Sequence, residues 1–273
     1  MRRGLALGSM VALPATSGEL AIGLSRDADA ASAHWEIGAR VGEGATSIVW
    51  RARHVETGRA VALKVAKKEQ PGASGGLVRE ALLLARVARR WGPELLAAGP
   101  GFVATEWLEG EPIGESAVEC RGGTAERLAA TVAHAVGRGL EELHEAGVRH
   151  GDVKPANVLL SSALPRRDAA DDRGATLIDL GMATSAGGEL LGATPRYAAP
   201  ELRERGESGP AADLWALGIL LAELLDPRVA GAADPRAAMA AWGKAEGEPA
   251  RWAQALVASV PGGRPSAAWL GSR

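Results

Sequence analysis

The chain has 273 residues, enough for one large domain or for two lobes sharing a cleft. Its 31 basic and 33 acidic residues give no electrostatic case for nucleic acid or an anionic membrane surface, so neither is expected as a partner. Hydrophobic residues make up 47%, which can bury a core; the single Cys120 excludes an internal disulfide and a cysteine-built zinc site, and suits a reducing cytoplasm.

Residues 1–34 begin with Met1-Arg2-Arg3 and an apolar, small-residue stretch to Ala15 that superficially looks like a signal peptide. Gly8, Ser9 and Pro14 interrupt it, and we read the segment as a flexible or loosely docked extension. No run approaches the roughly 18 apolar residues of a membrane span. From Trp35 the pattern turns strand-like: Trp35 to Val41 and Ile48 to His54 flank a glycine turn, and Arg59 to Ala66 makes a third run. Leu77 to Val87 is strongly helical, and Phe102 to Leu108 begins as a strand. Thr124 caps a long amphipathic helix to about Ala146, with Leu128, Val132, Val136, Leu140 and Leu143 on one side. Leu159-Leu160 and Thr176-Leu177-Ile178 are short strands, separated by a charged loop from Arg166 to Arg173. Ala211 to Leu225 is apolar on nearly all sides, which predicts a buried helix, and the remainder is Ala-rich helix broken by Pro and Gly.

The chain's only asparagine lies in His150-Gly151-Asp152-Val153-Lys154-Pro155-Ala156-Asn157. This octet reads as a catalytic loop for phosphoryl transfer. Asp152 can orient a hydroxyl and accept its proton, Lys154 can neutralise charge on the transferred group, and Asn157 can hold a metal ion through its amide oxygen. Upstream lie the glycine turn Gly42 to Val49 and Val61-Ala62-Leu63-Lys64. Downstream come Asp179-Leu180-Gly181, Thr194 to Glu201, Asp213-Leu214-Trp215 and Gly263-Arg264-Pro265-Ser266. The chain uses five lysines against 26 arginines, yet places lysine at both 64 and 154, where a compact, point-like cation is wanted.

With these motifs the chain resembles the eukaryotic-like protein kinase family, in the Ser/Thr branch common in bacteria, over roughly residues 35 to 268. The resemblance implies an α+β, two-lobed protein-kinase-like fold with ATP in the cleft. Its small lobe, about 35–105, would be an antiparallel sheet with one regulatory helix; the larger, mainly helical lobe would span about 109–273. Gly42 and Gly44 would fold backbone amides over phosphate. Lys64 would bind the α/β-phosphates and pair with Glu80. Val49 and Ala62 would roof the adenine and Leu159 floor it, with backbone groups of Glu106 and Leu108 meeting its edge and Thr105 at the deep end. Asn157 and Asp179 would hold Mg²⁺ as hard oxygen donors. His150 would be structural, packing under Leu180. Glu201 and Arg264 would form a buried ion pair, and Asp213 would cap amides of the catalytic loop. The implied activity is transfer to Ser/Thr hydroxyls of protein substrates, the chain itself included.

Ser47 stands where the family's third glycine would be, and Gly151 replaces the arginine that reads a phosphate on the activation loop. The stretch after Leu225 is also short for the family's remaining helices, which puts their docking surface in doubt. A small-molecule phosphotransferase of the aminoglycoside or choline kinase type also uses His-Gly-Asp with a downstream Asn and Asp. It would not be expected to carry Lys154, the Thr194 to Glu201 segment or Arg264. A pseudokinase acting as a binding module usually lacks the Lys, the Asp or a metal ligand, and none is lost here. Substrate identity and oligomeric state are not encoded in these motifs.

Overall fold

The computed structural model describes residues 11–12, 35–67, 69–87, 92–114, 123–161, 174–185, 191–207, 209–240, 242 and 246–271. Cys120, the Arg166 to Arg173 loop and all of the N-terminal segment except Val11 and Ala12 lie outside them. The chain divides into two compact units, the first reaching Leu108 (without residues 90–92) and the second running from Glu109.

The first unit is an antiparallel sheet with one helix. Its strands are β1 (Val11–Ala12), β2 (Trp35–Glu43), β3 (Ser47–His54), β4 (Ala60–Ala66), β5 (Leu95–Gly99) and β6 (Phe102–Glu106), in the order β1-β5-β6-β4-β3-β2. Along β4 the side chains alternate. Val61 and Leu63 enter a core with Trp35, Ala52, Ala97, Phe102 and Ala104, while Ala62 and Lys64 point to the other face. Helix α1 (Ala73–Arg86) buries Leu77, Glu80, Ala81 and Leu84, the i, i+3, i+4, i+7 spacing of one helical face. It starts four residues before the predicted Leu77, after Gly72 at φ 80°.

The second unit is mainly helical. Two of its helices, α2 (Gly123–Glu145) and α3 (Pro200–Arg205), flank the catalytic loop and the segment after it in sequence. The apolar α4 (Pro210–Leu225) is buried from Asp213 to Glu223 and beyond to Leu224, as its all-round hydrophobicity predicts. The rest forms α5 (Pro227–Ala230), α6 (Pro235–Ala240), α7 (Glu248–Leu256) and α8 (Ala267–Gly271). Small residues let the helices close: a Cβ on Gly218 would sit 2.8 Å from Leu256 Cβ of α7, and one on Gly137 would sit 2.9 Å from Leu270 Cβ of α8. Short strands complete the unit: β7 (Glu111–Pro112), β8 (Val148–Arg149), β9 (Val158–Leu160), β10 (Ala175–Leu177) and β11 (Thr184–Ser185). They pair antiparallel as β10-β9-β7 and β11-β8. An antiparallel sheet with one helix and a mainly helical unit make up the kinase-like α+β fold that the resemblance implied.

Candidate active site

In the sheet unit the candidate residues meet through strand register. Val49 lies opposite Lys64, and Ala62 lies opposite Thr105, so all four fall on one face of the sheet. Lys64 Nζ donates to both carboxylate oxygens of Glu80 on α1, at 3.0 and 2.8 Å, with little of either side chain exposed. Glu106 ends β6; its amide donates to Glu94 O at 2.8 Å, and Leu108 follows beyond the strand. The glycine turn is closed by Gly44 N donating to Ser47 O at 2.9 Å, and Lys67 reaches Glu43 at 2.5 Å. A Cβ on Gly42 or Gly44 would meet nothing nearer than 3.8 Å, whereas one on Gly38 would lie 2.8 Å from Arg51 O. Packing therefore requires glycine at 38 but not at 42 or 44, where the backbone stays open to close approach.

In the helical unit the octet forms a loop and a 3₁₀ turn (Pro155–Asn157) between β8 and β9. Asn157 Nδ2 donates to the Asp152 carbonyl at 2.8 Å and to Asp152 Oδ2 at 3.1 Å, which leaves the amide oxygen for another partner. Lys154 Nζ sits 2.6 Å from Asp152 Oδ2. The β9–β10 hairpin brings the second candidate metal ligand near: Ile178 N donates to Asn157 O at 2.8 Å, and Asp179 is the next residue. Asp179 has φ 68°, the one positive φ outside glycine among the described residues, and its Oδ1 accepts from Gly181 N at 2.9 Å. Leu159 lies half-buried in β9. His150 is fully buried; its Nε2 lies 3.0 Å from Ile178 O and its Nδ1 accepts from Asp152 N at 3.3 Å. The carbonyl of Ile178 is therefore its polar partner.

Asp213, buried in α4, accepts from the amides of His150 at 2.9 Å and Gly151 at 2.8 Å, and lies 2.9 Å from His144 Nε2. Burial would raise its carboxyl; the bond and charge of His144, the charge of His150 and the Gly151 amide outweigh this and hold it below its usual range. Glu201 and Arg264 make two bonds, 2.6 and 2.9 Å, both side chains buried. Burial lifts the Glu201 carboxyl, and the bond from Arg264 and the nearby arginine charges more than reverse that.

Thr194, at the head of the segment to Glu201 that the sequence marked out, donates from Oγ1 to Asp152 Oδ1 at 2.6 Å and lies 3.4 Å from Lys154 Nζ. Two contributors, Glu223 and His144, were not singled out from the sequence. Glu223 of α4 accepts from Arg196 Nε at 2.5 Å and Tyr197 Oη at 2.9 Å, tying that segment down. Its carboxyl is pushed up by burial. His144 gave no signal beyond a histidine in the last turn of α2. Arg149, Gly151, Asp152, Thr194, Tyr197 and Asp213 share the wall of one small pocket.

The sequence matches the protein kinase domain family over residues 35–237. Serine/threonine-protein kinase PknL of Mycobacterium tuberculosis (strain H37Rv) is 32% identical over 201 residues, covering 68% of this chain and 48% of the relative. Serine/threonine-protein kinase SMU1 of Mycosarcoma maydis is 32% identical over 191 residues, 68% of this chain and 25% of the relative. Human calcium/calmodulin-dependent protein kinase type 1B is 30% identical over 208 residues, 72% of this chain and 58% of the relative. The chain thus spans from a quarter to somewhat over half of these relatives.

Proposed function

The chain belongs to the protein kinase domain family, and from that premise we propose that it transfers the γ-phosphoryl group of ATP to serine or threonine hydroxyls of proteins, its own included. The observation that carries this reading is the hydroxyl of Thr194, held 2.6 Å from Asp152 Oδ1 with Lys154 beside it. A carboxylate and an ammonium group already receive a threonine hydroxyl there.

Asp152 orients the acceptor hydroxyl and takes its proton late in a loose transition state; an aspartate is a weak base, so orientation is its main service. Lys154 offsets charge on the transferred phosphoryl group. Lys64, fixed by two bonds to Glu80, presents its ammonium to the α/β-phosphates. Gly42 and Gly44 leave room for phosphate against the backbone, Val49, Ala62 and Leu159 supply apolar surface for adenine, and Glu106 and Leu108 supply backbone groups. Asn157 and Asp179 suit Mg²⁺, because one keeps a neutral amide oxygen and the other is a carboxylate on the neighbouring strand end. Mg²⁺, when bound, neutralises phosphate charge. Among the described residues no helix is long and apolar enough to cross a membrane. ATP dependence and the single cysteine support a cytoplasmic setting.

The test is incubation of the purified chain with γ-labelled ATP and Mg²⁺, with and without a generic basic protein and an aminoglycoside. Phosphoserine or phosphothreonine by mass spectrometry is expected. Phosphate on the aminoglycoside alone would make it a small-molecule phosphotransferase, and nucleotide binding with no transfer would make it a binding module.

A further inference from the structure

The glycine turn between β2 and β3 carries one charge that the chemistry above does not use. Glu43 stands between Gly42 and Gly44 and is the only charged residue from 42 to 50. A bare carboxylate there would repel the phosphates that those glycines admit. Two cations answer it: Lys67 Nζ lies 2.5 Å from its Oε1, and the Arg40 guanidinium pairs with its Oε2. Lys67 also reaches the far side of the turn, where its amide donates to Thr46 O at 2.8 Å. Between these two grips Gly44 N donates to Ser47 O at 2.9 Å, and Ser47 lies opposite Ala66, the residue before Lys67. The first residue beyond β4 thus holds the turn at both ends. Lys64 lies on that same strand, so one short run of backbone sets the spacing between the turn and the Lys64–Glu80 pair.

We propose, resting on the kinase reading above, that Lys67 is a positioning residue for the phosphates of ATP. It clasps the glycine turn by its side chain at Glu43 and by its backbone at Thr46, and it offsets the one negative charge in the turn. The side chains of Lys67 and Glu43 are 21% and 38% exposed, so the pair adds little to overall stability. What it governs is where the turn stands and what charge the turn shows. Substituting Lys67 leaves the bond to Thr46 in place and removes the one to Glu43. Arg40 then remains on Glu43, but both belong to β2, so the turn loses its side-chain tie to the end of β4. Adenosine, which has no phosphate, would not meet that change. An ordinary solvated ion pair predicts no effect on either ligand.

The full chain is made with Lys67→Met, Lys67→Arg, Glu43→Gln and the Lys67→Met/Glu43→Gln pair. Binding of Mg²⁺–ATP and of adenosine is measured by calorimetry, beside initial rates of phosphoryl transfer. Lys67→Met is expected to raise Kd and KM for ATP about threefold or more, with kcat and the adenosine Kd within about twofold. Its urea midpoint should match the wild type, as for an exposed pair. Lys67→Arg keeps the charge and should stay within about twofold throughout. The double variant should bind ATP more tightly than Lys67→Met alone, because the uncancelled carboxylate is gone. Unchanged ATP affinity in Lys67→Met, equal losses for ATP and adenosine, or a double variant as weak as Lys67→Met would overturn the proposal. Wild-type protein that binds ATP and transfers nothing would end the kinase reading alone, and the two Kd values would still judge Lys67. Wild-type protein that does not bind ATP would end both.

Discussion

Replacing Glu201 with alanine isolates one buried charge. Arg264 would lose the two carboxylate bonds, keeping only those from Nη1 to Ala211 O and from Nε to Ala258 O, both 2.9 Å. Its side chain is 0% exposed, with the Trp215 ring 5.0 Å from its Cζ, so water does not reach the stranded guanidinium. Removing one partner of such a pair costs about 3–5 kcal/mol. Against a total of roughly 5–15 kcal/mol, that is about a fifth of the stability or more. The assay is urea unfolding followed by tryptophan fluorescence, since Trp215 lies against the guanidinium. At a slope of about 1–3 kcal/mol per molar urea, the midpoint should fall by at least about 1 M. Glu201→Leu with Arg264→Met removes both charges and should recover most of the loss. A loss below about 1 kcal/mol in Glu201→Ala, or no recovery in the double variant, would refute the account of this pair.

Asp152→Ala should reduce turnover about 10²–10⁴-fold with nucleotide affinity nearly intact, while Asp179→Ala should weaken Mg²⁺–nucleotide binding; equal loss of nucleotide affinity in both, with turnover kept, contradicts this division of labour. Glu201 and Asp213 sit below their ordinary values of 4.5 and 3.8, so each contributes stability that is fully present above those values and is lost as pH falls through the lower folded value. Glu223 is raised above 4.5, so its contribution is present below that value and lost as pH rises through the raised one. Urea midpoints measured downward from neutral pH should therefore fall below pH 4.5, less steeply in Glu201→Gln; a variant with the wild-type slope contradicts the assignment. Because Gly151 offers no arginine to a phosphorylated activation segment, phosphatase-treated protein should keep its initial rate. A drop of more than about tenfold, restored by autophosphorylation at Thr184, Ser185 or Thr194, excludes this.

Much of the site was readable because its chemistry rests on rare residues at fixed spacings. A lone asparagine and two of five lysines fall on the positions where the structure places the Asn157–Asp152 bonds, the Lys154–Asp152 contact and the Lys64–Glu80 pair. Local pattern failed where it was weak. Strand β5 reads Leu-Leu-Ala-Ala-Gly, with no β-branched residue and no polar alternation, and is a strand through its pairing with β6. The first turn of α1 contains Gly75 and Gly76, poor helix formers, so periodicity began only at Leu77. Thr194 and Asp152, or Asp213 and His144, are brought together by tertiary folding across 42 and 69 residues, and no local rule reports such contacts.

Position 151 is also constrained in the order in which the chain could change. A non-glycine residue there must adopt φ near 80°, at about 1–2 kcal/mol, and must place its Cβ against Met182 O and Arg149 Nη1. A single substitution to arginine would therefore arrive with its space already taken. The peptide at Met182 would have to shift, which no substitution at 182 achieves by itself, and the Arg149 guanidinium would have to give up its position. A route toward a phosphate-reading catalytic loop therefore needs backbone movement at 182 and a change at Arg149 alongside any replacement of Gly151.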